Sequence, residues 1–538
     1  MGATHQAKET YHDLRITLPA LLAGYFADQR WFGGKARQIR SVEIADLVPL
    51  GNIRFETFVL LVRLEYMTGP GEVYVLPLIC TQEPTVGSAE TGLKVYSSAR
   101  GTDLHLRNAL TDNEFLHSLL EMIEQKTVFR GLEGEIHAAC TDAFHVFCSA
   151  SAGVLQPKPI KAEQSNSSII YGDRVILKFF RRTAEGDNPD LEIGRFLTEK
   201  KDFPHIPAVA GWIDYKGKDD SQMCLGILQA FVPNVGDAWQ FTLKALSSYW
   251  KESGRYSGGS LGPVPQHDPP VAAYRPNLPT PILASISPYL DTVELLGKRT
   301  AELHLALASE STDPAFAPEP YTAHFQRAFK ETLHTLTERN LALLGAKLNE
   351  LPPELRDKAK NLTARQGEIL RRYDSVLGSP IQAMRTRIHG DYHLGQVLYT
   401  GSDFVIIDFE GEPARPISER RVKRSPLQDV AGMLRSFHYA AFYFQIAPLD
   451  GMTASGMDND DVRKWAESWY ASVTDRFLGA YFGNVGEACF IPPSRDELST
   501  LLQLHLLEKA VYELGYELNN RPAWLAIPLE GISQLLTS

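Results

Sequence analysis

The pattern of hydrophobic and polar positions changes from strand-like to helical along the chain. Three early segments are rich in β-branched and aromatic residues and are separated by glycine-containing breaks: 41–50, 55–66 and 73–79. Residues 1–89 therefore read as strands and turns, and we predict a small β-rich cap. Apolar residues recur at helical spacing over 103–126, so residues 90–150 are assigned to an intermediate subdomain.

A β-hairpin followed by a helix is predicted from residue 163 onward. The string EQSNSSIIYGDRVILKFF reads as two strands joined by a turn at Gly172-Asp173. Asn188 can cap the following helix, and Pro189 suits its first position. With a further strand before residue 233, this pattern predicts a separate lobe over residues 151–233.

Helical patterns dominate the rest of the chain, residues 234–538, which we assign to a largely helical C-terminal lobe. Predicted helices cover 293–308, 321–344, 353–376, 461–482 and 495–519. The segment around His389 is the exception and reads as loop and strand. Residues 253–286 are rich in Gly, Pro and Ser without periodicity, which predicts a flexible surface insertion.

The segment 387–413, RIHGDYHLGQVLYTGSDFVIIDFEGEP, combines residues suited to phosphoryl transfer. That reaction needs a carboxylate to orient the acceptor hydroxyl and hard oxygen ligands for the Mg²⁺ that accompanies ATP. Asp391 and Gln396 stand five residues apart, and a hydrophobic strand then ends on Asp408. Kinases use an H-x-D-x-x-x-x-N loop in this way, and Gln396 stands where Asn is usual. We expect His389 to orient the loop, and it is also a candidate acceptor-site residue.

A lysine and a carboxylate in the 151–233 lobe complete the kinase pattern. Lys178 lies on the second strand of the hairpin, and Glu192 lies in the first turn of the next helix. Kinases hold the lysine that binds nucleotide phosphates with such a carboxylate. A lysine on a strand before a helical glutamate is common by itself, but its position ahead of the Asp391 loop makes the pair more specific.

The remaining nucleotide contacts are predicted from the bend before the hairpin and from the end of the lobe. No G-x-G-x-x-G precedes the lysine. Hydroxyl and backbone N–H groups in a tight turn can bind phosphate oxygens without glycine. Candidates for this role are Ser165, Asn166, Ser167 and Ser168. Gln229 and Val232 fall where a linker between kinase lobes would meet adenine.

Two later segments carry further candidates. On a helix, Glu513, Glu517 and Asn520 share one face that could hydrogen-bond sugar hydroxyls, or could simply be a solvated face. Trp524 could stack on a sugar, and Tyr516 completes this set. Five basic residues follow the Asp408 strand and could bind substrate anions, balance the carboxylates of the phosphate site or be solvated: Arg415, Arg420, Arg421, Lys423 and Arg424. Asp429, in the first turn of the next helix, could brace the Asp391 loop or simply stabilise the helix dipole.

Composition narrows the possible partners. The chain has 538 residues and 54 Lys+Arg against 65 Asp+Glu, a net charge of −11. The acidic balance disfavours nucleic acid, which is bound by neutralising phosphates. No apolar stretch reaches the ~18–20 residues of a membrane span, and the first residues have no signal-peptide character. The five cysteines are scattered, so we expect a cytoplasmic protein with structural thiols.

These motifs resemble the maltokinases, relatives of the aminoglycoside phosphotransferases. The resemblance covers nearly the whole chain, and the matching stretches are 30–35 (RWFGGK), 163–169, 296–308, 389–398, 407–413, 425–437 and 516–522. It implies an α+β, bilobal eukaryotic-protein-kinase-like fold with an N-terminal β-rich cap and a largely helical C-lobe. It also implies transfer of the γ-phosphate of ATP to the anomeric hydroxyl of maltose, in the conversion of trehalose to α-glucan such as glycogen.

The same resemblance assigns roles to residues. It implies that Asp391 is the catalytic base, that Gln396 and Asp408 hold Mg²⁺, and that Lys178 contacts the nucleotide phosphates with Glu192 as its partner. Glu410 is then a candidate ligand of a second metal. Trehalose synthase is the protein partner that the family implies.

Two other functions remain open from the sequence. A kinase for another sugar, such as glucosamine, would use the same ATP machinery, and a cationic acceptor would favour carboxylates such as Glu513 and Glu517. A non-catalytic scaffold for a trehalose-metabolising enzyme is the alternative of another class. The scaffold is disfavoured because it has no need for a complete set of kinase residues.

Overall fold

The structure is a computed structural model that describes most of the chain. The described residues are 2–51, 56–82, 92–98, 100–148, 155–160, 166–255, 278–412, 415–443, 446 and 459–537. The chain divides into two compact units, unit 1 (Met1–Pro233 and Pro413–Arg420) and unit 2 (Asn234–Glu412 and Arg421–Ser538). The finer boundaries predicted at 89/90 and 150/151 stay predictions.

Unit 1 begins with a helix and a six-stranded sheet. Its elements are α1 (Gly2–Asp28), β1 (Ile39–Leu50), β2 (Glu56–Tyr66), β3 (Glu72–Thr81), β4 (Leu93–Ser97) and β5 (Thr102–Asn108). The strand order is β1-β2-β3-β5-β4, and a short later strand, β11 (Arg182–Thr183), pairs with β3. The three predicted cap strands are confirmed, but α1 was predicted as strand and turn.

The second sheet of unit 1 has seven strands in the order β6-β7-β12-β13-β10-β9-β8. They are β6 (Val128–Arg130), β7 (Gly134–Cys140), β8 (Pro157–Pro159), β9 (Asn166–Tyr171), β10 (Val175–Phe180), β12 (Val209–Gly217) and β13 (Gln222–Ala230). Its helices are α2 (Asn113–Glu124), α3 (Asp142–Cys148) and α4 (Pro189–Arg195), which continues as a π-helical turn over Phe196–Lys200. The predicted hairpin is confirmed, with Gly172 and Asp173 both at positive φ in its turn.

The two largest hydrophobic cores among the described residues of unit 1 lie on the two faces of the first sheet. On one face of the first sheet, α1 buries Leu14, Leu18, Leu22 and Phe26 completely. The opposite face contributes Val59 and Val75 to a second core that also contains α2 and the β9–β10 hairpin: this core includes Phe115, Leu116, Tyr171, Leu177 and Phe179. The cap sheet and the β9–β10 hairpin therefore share one core.

Unit 2 is mainly helical. Its helices are α5 (Ala238–Arg255), α6 (Thr280–Ala308), α7 (Ala323–Ala346), α8 (Pro353–Ala364), α9 (Gln366–Leu377), α11 (Leu427–Phe442), α12 (Asn459–Val485), α13 (Arg495–Asn520) and α14 (Ala526–Thr537). The short helix α10 (Ile417–Arg420) lies in the returning segment of unit 1. Two small hairpins complete unit 2: β14 (Glu319–Pro320) with β15 (Met384–Arg385), and β16 (Val397–Tyr399) with β17 (Phe404–Ile406).

The predicted helices of unit 2 are present, with some differences. The helix predicted over 353–376 is two helices, because Arg365 leaves the helical conformation between α8 and α9. Both ends of the predicted insertion 253–286 are helical. Residues 253–255 belong to α5, and residues 280–286 belong to α6. Residues 256–277 lie outside the described residues. Together the two units confirm the predicted α+β class, with a β-rich N-terminal region and a mostly helical C-terminal region.

Candidate active site

The nucleotide candidates of unit 1 lie on the β9–β10 hairpin. Lys178, on β10, pairs with Ser168 on β9 and with Ile227 on β13. Asn166, Ser167 and Ser168 are the first three residues of β9, so they form the start of a strand where we predicted a bend. Ser165 lies outside the described residues.

Lys178 has a carboxylate partner on the following helix. Its Nζ lies 3.4 Å from Oδ2 of Asp190, whose side chain is completely buried. Asn188 caps this helix as predicted, because its side chain accepts from the backbone N–H groups of Asp190 and Leu191. Sequence analysis missed Asp190, two residues before Glu192, and the role of Glu192 as lysine partner stays a prediction.

The candidates for adenine binding lie at the end of the lobe. Gln229 is buried on β13, where it pairs with Ile176 of β10 and Val209 of β12. Val232 follows that strand and is half-buried. The neighbouring Phe231 donates its N–H to the carbonyl of Arg174, which ties the end of β13 to the hairpin.

The Asp391 loop of unit 2 is held by a buried carboxylate. Asp429, on the first turn of α11, accepts the N–H of His389 through Oδ2 at 2.7 Å and the N–H of Gly390 through Oδ1 at 2.9 Å. Its Oδ2 also lies 3.2 Å from Nε2 of His304. These contacts confirm the expectation that Asp429 braces the loop.

His389 connects the Asp391 loop to the strand that leads to Asp408. It is buried, and its Nε2 donates to the carbonyl of Ile407 at 2.8 Å. Its Nδ1 accepts the N–H of Asp391 at 3.4 Å, and these two partners define the tautomer. Gly390 has φ +85°, a backbone region that glycine adopts at little cost.

Asp391 faces a lysine that the sequence analysis missed. Nζ of Lys509, on α13, lies 3.2 Å from Oδ1 of Asp391, and Nε2 of His393 lies 3.8 Å from Oδ2. Burial tends to raise the pKa of the Asp391 carboxyl, but the charge of Lys509, followed by His393, lowers it below its ordinary value. Burial lowers the pKa of the His393 imidazole, because it disfavours the charged form of the ring. The arrangement is an ionised Asp391 beside an ammonium group.

Gln396 and Asp408 flank the open end of one hairpin. The N–H of Ile407 donates to the carbonyl of Gln396 at 3.0 Å, next to the β16–β17 pair Val397 and Ile406. Asp408 has φ +62°, an uncommon conformation for a residue with a side chain that is often found at functional sites. An amide oxygen and a carboxylate at neighbouring backbone positions suit a hard divalent cation such as Mg²⁺.

The predicted sugar-binding carboxylates of α13 both have protein partners. Glu513 is buried and accepts from Nε and Nη2 of Arg435 at 2.9 and 2.7 Å. Glu517 is also buried and accepts from Arg521 and from the hydroxyl of Tyr439. Burial raises the pKa of Glu517. A direct contact of either carboxylate with a sugar stays a prediction.

The other acceptor candidates surround Arg521. Its guanidinium carbon lies 4.6 Å from the ring centre of Trp524 and 5.2 Å from that of Tyr516. Trp524 also stacks on Tyr439, with ring centres 6.0 Å apart. Asn520 is exposed and donates to the carbonyl of Tyr516, one helical turn away. Tyr516 and Asn520 are therefore exposed beside Arg521, whose charge is already paired with Glu517.

At least two residues of the basic segment after Asp408 have protein partners, Lys423 and Arg420. Lys423 is buried and pairs with Glu319 at 2.9 Å, and Arg385 pairs with the same carboxylate. Arg420 donates to the carbonyl of Arg415. At least Lys423 therefore has a structural role.

Comparison with known proteins identifies the class of the chain. Residues 273–444 match the phosphotransferase enzyme family, and residues 25–112 match the maltokinase N-terminal cap domain. Two solved structures of a glucosamine kinase share the fold at 18% identity. One, in complex with glucosamine, ADP and inorganic phosphate, has a TM-score of 0.61 over 92% of this chain and 94% of its own. The other, crystal form B, has a TM-score of 0.62 over 94% and 96%.

Two curated relatives are similar over most of the chain. A glucosamine kinase of Mycolicibacterium smegmatis (strain ATCC 700084 / mc(2)155) is 24% identical over 398 residues, 73% of this chain and 83% of the relative. A glucosamine kinase of Streptacidiphilus jiangxiensis is 23% identical over 390 residues, 72% and 75% respectively. The chain thus has a kinase-like phosphotransferase fold. Its N-terminal region is similar to the cap domain of maltokinases. Among the described residues, no helix is both long and apolar enough to cross a membrane.

Proposed function

We propose that the protein is an ATP-dependent sugar kinase that phosphorylates maltose at its anomeric hydroxyl. The observation that carries the proposal is the Asp391 loop, which Asp429 and His389 hold in place and which keeps an ionised carboxylate next to Lys509. The maltokinase-type cap and the phosphotransferase match support a sugar as acceptor. We infer a place in the conversion of trehalose to α-glucan, with trehalose synthase as a partner.

The nucleotide roles follow from the hairpin of unit 1. Lys178 would bind the phosphates of ATP, with its ammonium held by Asp190 and by the predicted Glu192. The polar side chains at the start of β9 would donate to phosphate oxygens, and Gln229 and Val232 would lie at the adenine. Support comes from the solved glucosamine kinase, which was determined with ADP.

Mg²⁺ would be held by Gln396 and Asp408, with Glu410 as a further candidate. Both residues lie at one end of the β16–β17 hairpin, where the remaining ligands would come from the nucleotide phosphates and water. The ion would neutralise phosphate charge during transfer. The protein itself contributes the rigid hairpin that fixes the two ligands relative to Asp391.

Asp391 would align the acceptor hydroxyl and take its proton. Because Nζ of Lys509 already contacts Oδ1 of Asp391, Oδ2 is the carboxylate oxygen that would accept the hydrogen bond from the sugar hydroxyl. Phosphoryl transfer has a loose transition state, so orientation supplies more of the rate than proton removal. The Asp429 contacts would maintain that orientation.

The charges around Asp391 favour a neutral acceptor over an amino sugar. Lys509 already places one ammonium group at Asp391, and Glu513 and Glu517 are already neutralised by arginines. A cationic sugar would therefore add a second cation where the carboxylates are paired. This favours maltose over glucosamine.

Glucosamine is the second candidate acceptor, because both curated relatives are named glucosamine kinases. The decisive measurement is Mg²⁺-dependent ADP release with maltose, glucose, glucosamine or no sugar, with phosphorus NMR to locate the phosphate. Maltose-dependent turnover with an anomeric phosphate is expected. Turnover with glucosamine alone would overturn the maltose assignment. Nucleotide binding without turnover on any of these sugars would favour the scaffold function.

A further inference from the structure

The helix α6 carries a histidine that contacts the brace of the Asp391 loop. His304 is completely buried, and its Nε2 lies 3.2 Å from Oδ2 of Asp429. That carboxylate accepts the N–H groups of His389 and Gly390, the two residues before Asp391. His304 is therefore linked to the loop through Asp429.

A tyrosine from α12 fixes the orientation of His304. The hydroxyl of Tyr481 lies 2.8 Å from Nδ1 of the imidazole, and the two rings meet edge to face with centres 5.6 Å apart. The two helices pack closely at this point, because a Cβ on Gly297 of α6 would lie 2.5 Å from the carbonyl oxygen of Phe477, one turn before Tyr481. The imidazole is thus held between a hydroxyl and a carboxylate.

These partners define which nitrogen of His304 carries the proton. Because a carboxylate only accepts hydrogen bonds, Nε2 donates to Asp429. Burial raises the pKa of the Tyr481 phenol, so its hydroxyl stays protonated and can donate to Nδ1. The hydroxyl therefore favours the neutral tautomer whose N–H points at the brace.

The same helix contacts the loop at a second point. One turn before the histidine, Oγ1 of Thr300 lies 2.9 Å from the hydroxyl of Tyr392, the residue after the proposed base. Because Oγ1 of Thr300 donates to the carbonyl of Leu296, it accepts from Tyr392. These α6 residues belong to the matching stretch 296–308, to which the proposed reaction assigns no role.

We propose that His304 is a positioning residue for phosphoryl transfer, which is held by Tyr481 and keeps the Asp429 carboxylate turned toward the backbone of the Asp391 loop. Without the imidazole N–H, Oδ2 of Asp429 loses a contact that directs it, and Asp391 is no longer held in the geometry that transfer requires. The inference rests on the proposed function, since it concerns the rate of that reaction.

Tyr289 offers a matched control for Tyr481. It lies on α6, it is also buried, and its hydroxyl lies 2.9 Å from Oγ1 of Thr242 on α5. Its ring stacks on Trp469 of α12, with ring centres 5.7 Å apart. Tyr289→Phe therefore removes a buried hydroxyl at the same pair of helices and leaves the His304 contacts in place.

The test compares Tyr481→Phe, His304→Leu, His304→Gln, Tyr289→Phe and the double variant of Tyr481→Phe with His304→Leu, all in the full chain. Steady-state kinetics uses maltose, or glucosamine if the wild type turns over only that sugar, and gives kcat and KM for ATP. Calorimetry with Mg²⁺ and ADP measures nucleotide affinity, and thermal unfolding measures stability.

We expect kcat to fall about tenfold in His304→Leu and about fivefold in Tyr481→Phe. His304→Gln can still donate from near the Nε2 position, so its kcat should stay within about threefold of the wild type. The double variant should be no slower than His304→Leu, because the hydroxyl acts through the imidazole. Tyr289→Phe should keep the wild-type kcat. In every variant, KM for ATP and ADP affinity should change by less than about threefold.

Other results would overturn the inference. If Tyr481→Phe is as fast as Tyr289→Phe, or if the two single losses multiply in the double variant, the hydroxyl does not act through His304. A His304→Gln variant as slow as His304→Leu would show that the N–H is not the group that matters. Should His304→Leu fail to fold, the comparison of Tyr481→Phe with Tyr289→Phe still decides. A wild type that turns over none of the sugars would refute the proposed function and the inference with it, which differs from an active wild type with unchanged variants.

Discussion

At the residue scale, the Asp391–Lys509 pair decides in which form the proposed base enters the reaction. Two effects oppose each other at this carboxyl. Burial disfavours its charge, and the ammonium 3.2 Å away favours it. The side chain that lowers the pKa most comes from α13, more than 100 residues later in the chain.

Lys509→Met should move the acid limb of the pH profile to higher pH. Burial alone would raise the pKa of Asp391, and the charge and hydrogen bond of Lys509 together with the charge of His393 lower it, so removal of the ammonium should raise the pKa of this carboxyl. Since the ionised form is the active one, kcat/KM should be lost at a higher pH than in the wild type as the pH falls. Lys509→Arg keeps the cation and is the control. An acid limb at the wild-type position in the methionine variant would contradict the assignment.

Asp391→Asn should abolish turnover and keep nucleotide binding. The amide retains the shape but cannot accept the hydroxyl proton, so kcat should fall by about 10²–10⁴-fold. ADP affinity, measured by calorimetry, should stay within about threefold, because Asp391 is assigned to the acceptor. Substantial residual activity would show that another group acts as the base.

Asp408→Ala should instead weaken the binding of ADP in the presence of Mg²⁺. Removing this carboxylate takes away a hard ligand of the proposed Mg²⁺ site, so affinity for ADP should fall when Mg²⁺ is present and change little in its absence. Calorimetry with and without Mg²⁺ measures both quantities. Unchanged affinity in Mg²⁺ would refute the ligand assignment.

At the scale of elements, α11 approaches the Asp391 loop closely enough to require a glycine. A Cβ on Gly432 would lie 2.5 Å from the carbonyl oxygen of Tyr392, the residue after Asp391. Asp429 lies one turn earlier on the same helix and holds the loop through hydrogen bonds. The helix thus fixes the loop by a polar bond and by a close backbone contact.

Gly432→Ala should destabilise the protein and lower kcat, although alanine favours helices. The loop must move away from the new methyl group, and overpacking of this kind costs about 1–3 kcal/mol in the free energy of unfolding. Gly479→Ala in α12 is the matched control, because nothing lies within 4 Å of its Cβ position. That variant should gain up to about 1 kcal/mol. Equal effects of the two substitutions on thermal unfolding would contradict the close contact.

Most elements were predictable from local sequence, and the exceptions have physical causes. The strands of the cap and the β9–β10 hairpin carry the expected residue types and turn, and the structure has them. Helix α1 was missed although Leu14, Leu18, Leu22 and Phe26 recur every four residues, because Pro19 reads as a break. Burial of that stripe against the sheet stabilises the helix despite the proline.

The site was predictable only where its residues are close in the sequence. Asp391, Gln396 and Asp408 form one local motif, and the bracing by Asp429 followed from its place on the next helix. Lys509 and Arg435 were missed, because a contact between distant segments leaves no pattern in a single sequence. A signal for Lys509 did exist in the sequence. It lies four residues before Glu513, so it shares the helix face that was predicted to bind the sugar.

At the scale of the whole molecule, the cap is part of a larger folding unit. Val59 and Val75 of the cap sheet share a core with α2 and with Leu177 on the lysine strand. The chain also returns to this unit at residues 413–420, after the Asp408 strand of unit 2. Unit 1 is therefore built from two separate stretches of sequence, and its cap sheet shares a core with the β9–β10 hairpin.

Deleting residues 1–112 should prevent the remaining chain from folding cooperatively. The deletion removes the sheet that covers one side of the shared core, which would leave Phe115, Tyr171 and Leu177 exposed to water. Thermal unfolding followed by circular dichroism, together with ADP binding, compares the truncated and full chains. A cooperative transition with intact ADP affinity would show that the cap is an independent domain.

The pairing of β11 with β3 bears on how such a protein can diverge or be recombined. Two residues that follow the lysine strand, Arg182 and Thr183, complete a sheet whose other strands all precede residue 109. A crossover that exchanged the first 112 residues between relatives would join a foreign sheet to the native edge strand. Functional chimaeras should therefore inherit residues 181–183 from the same parent as the cap, and substitutions in these two segments should accumulate together.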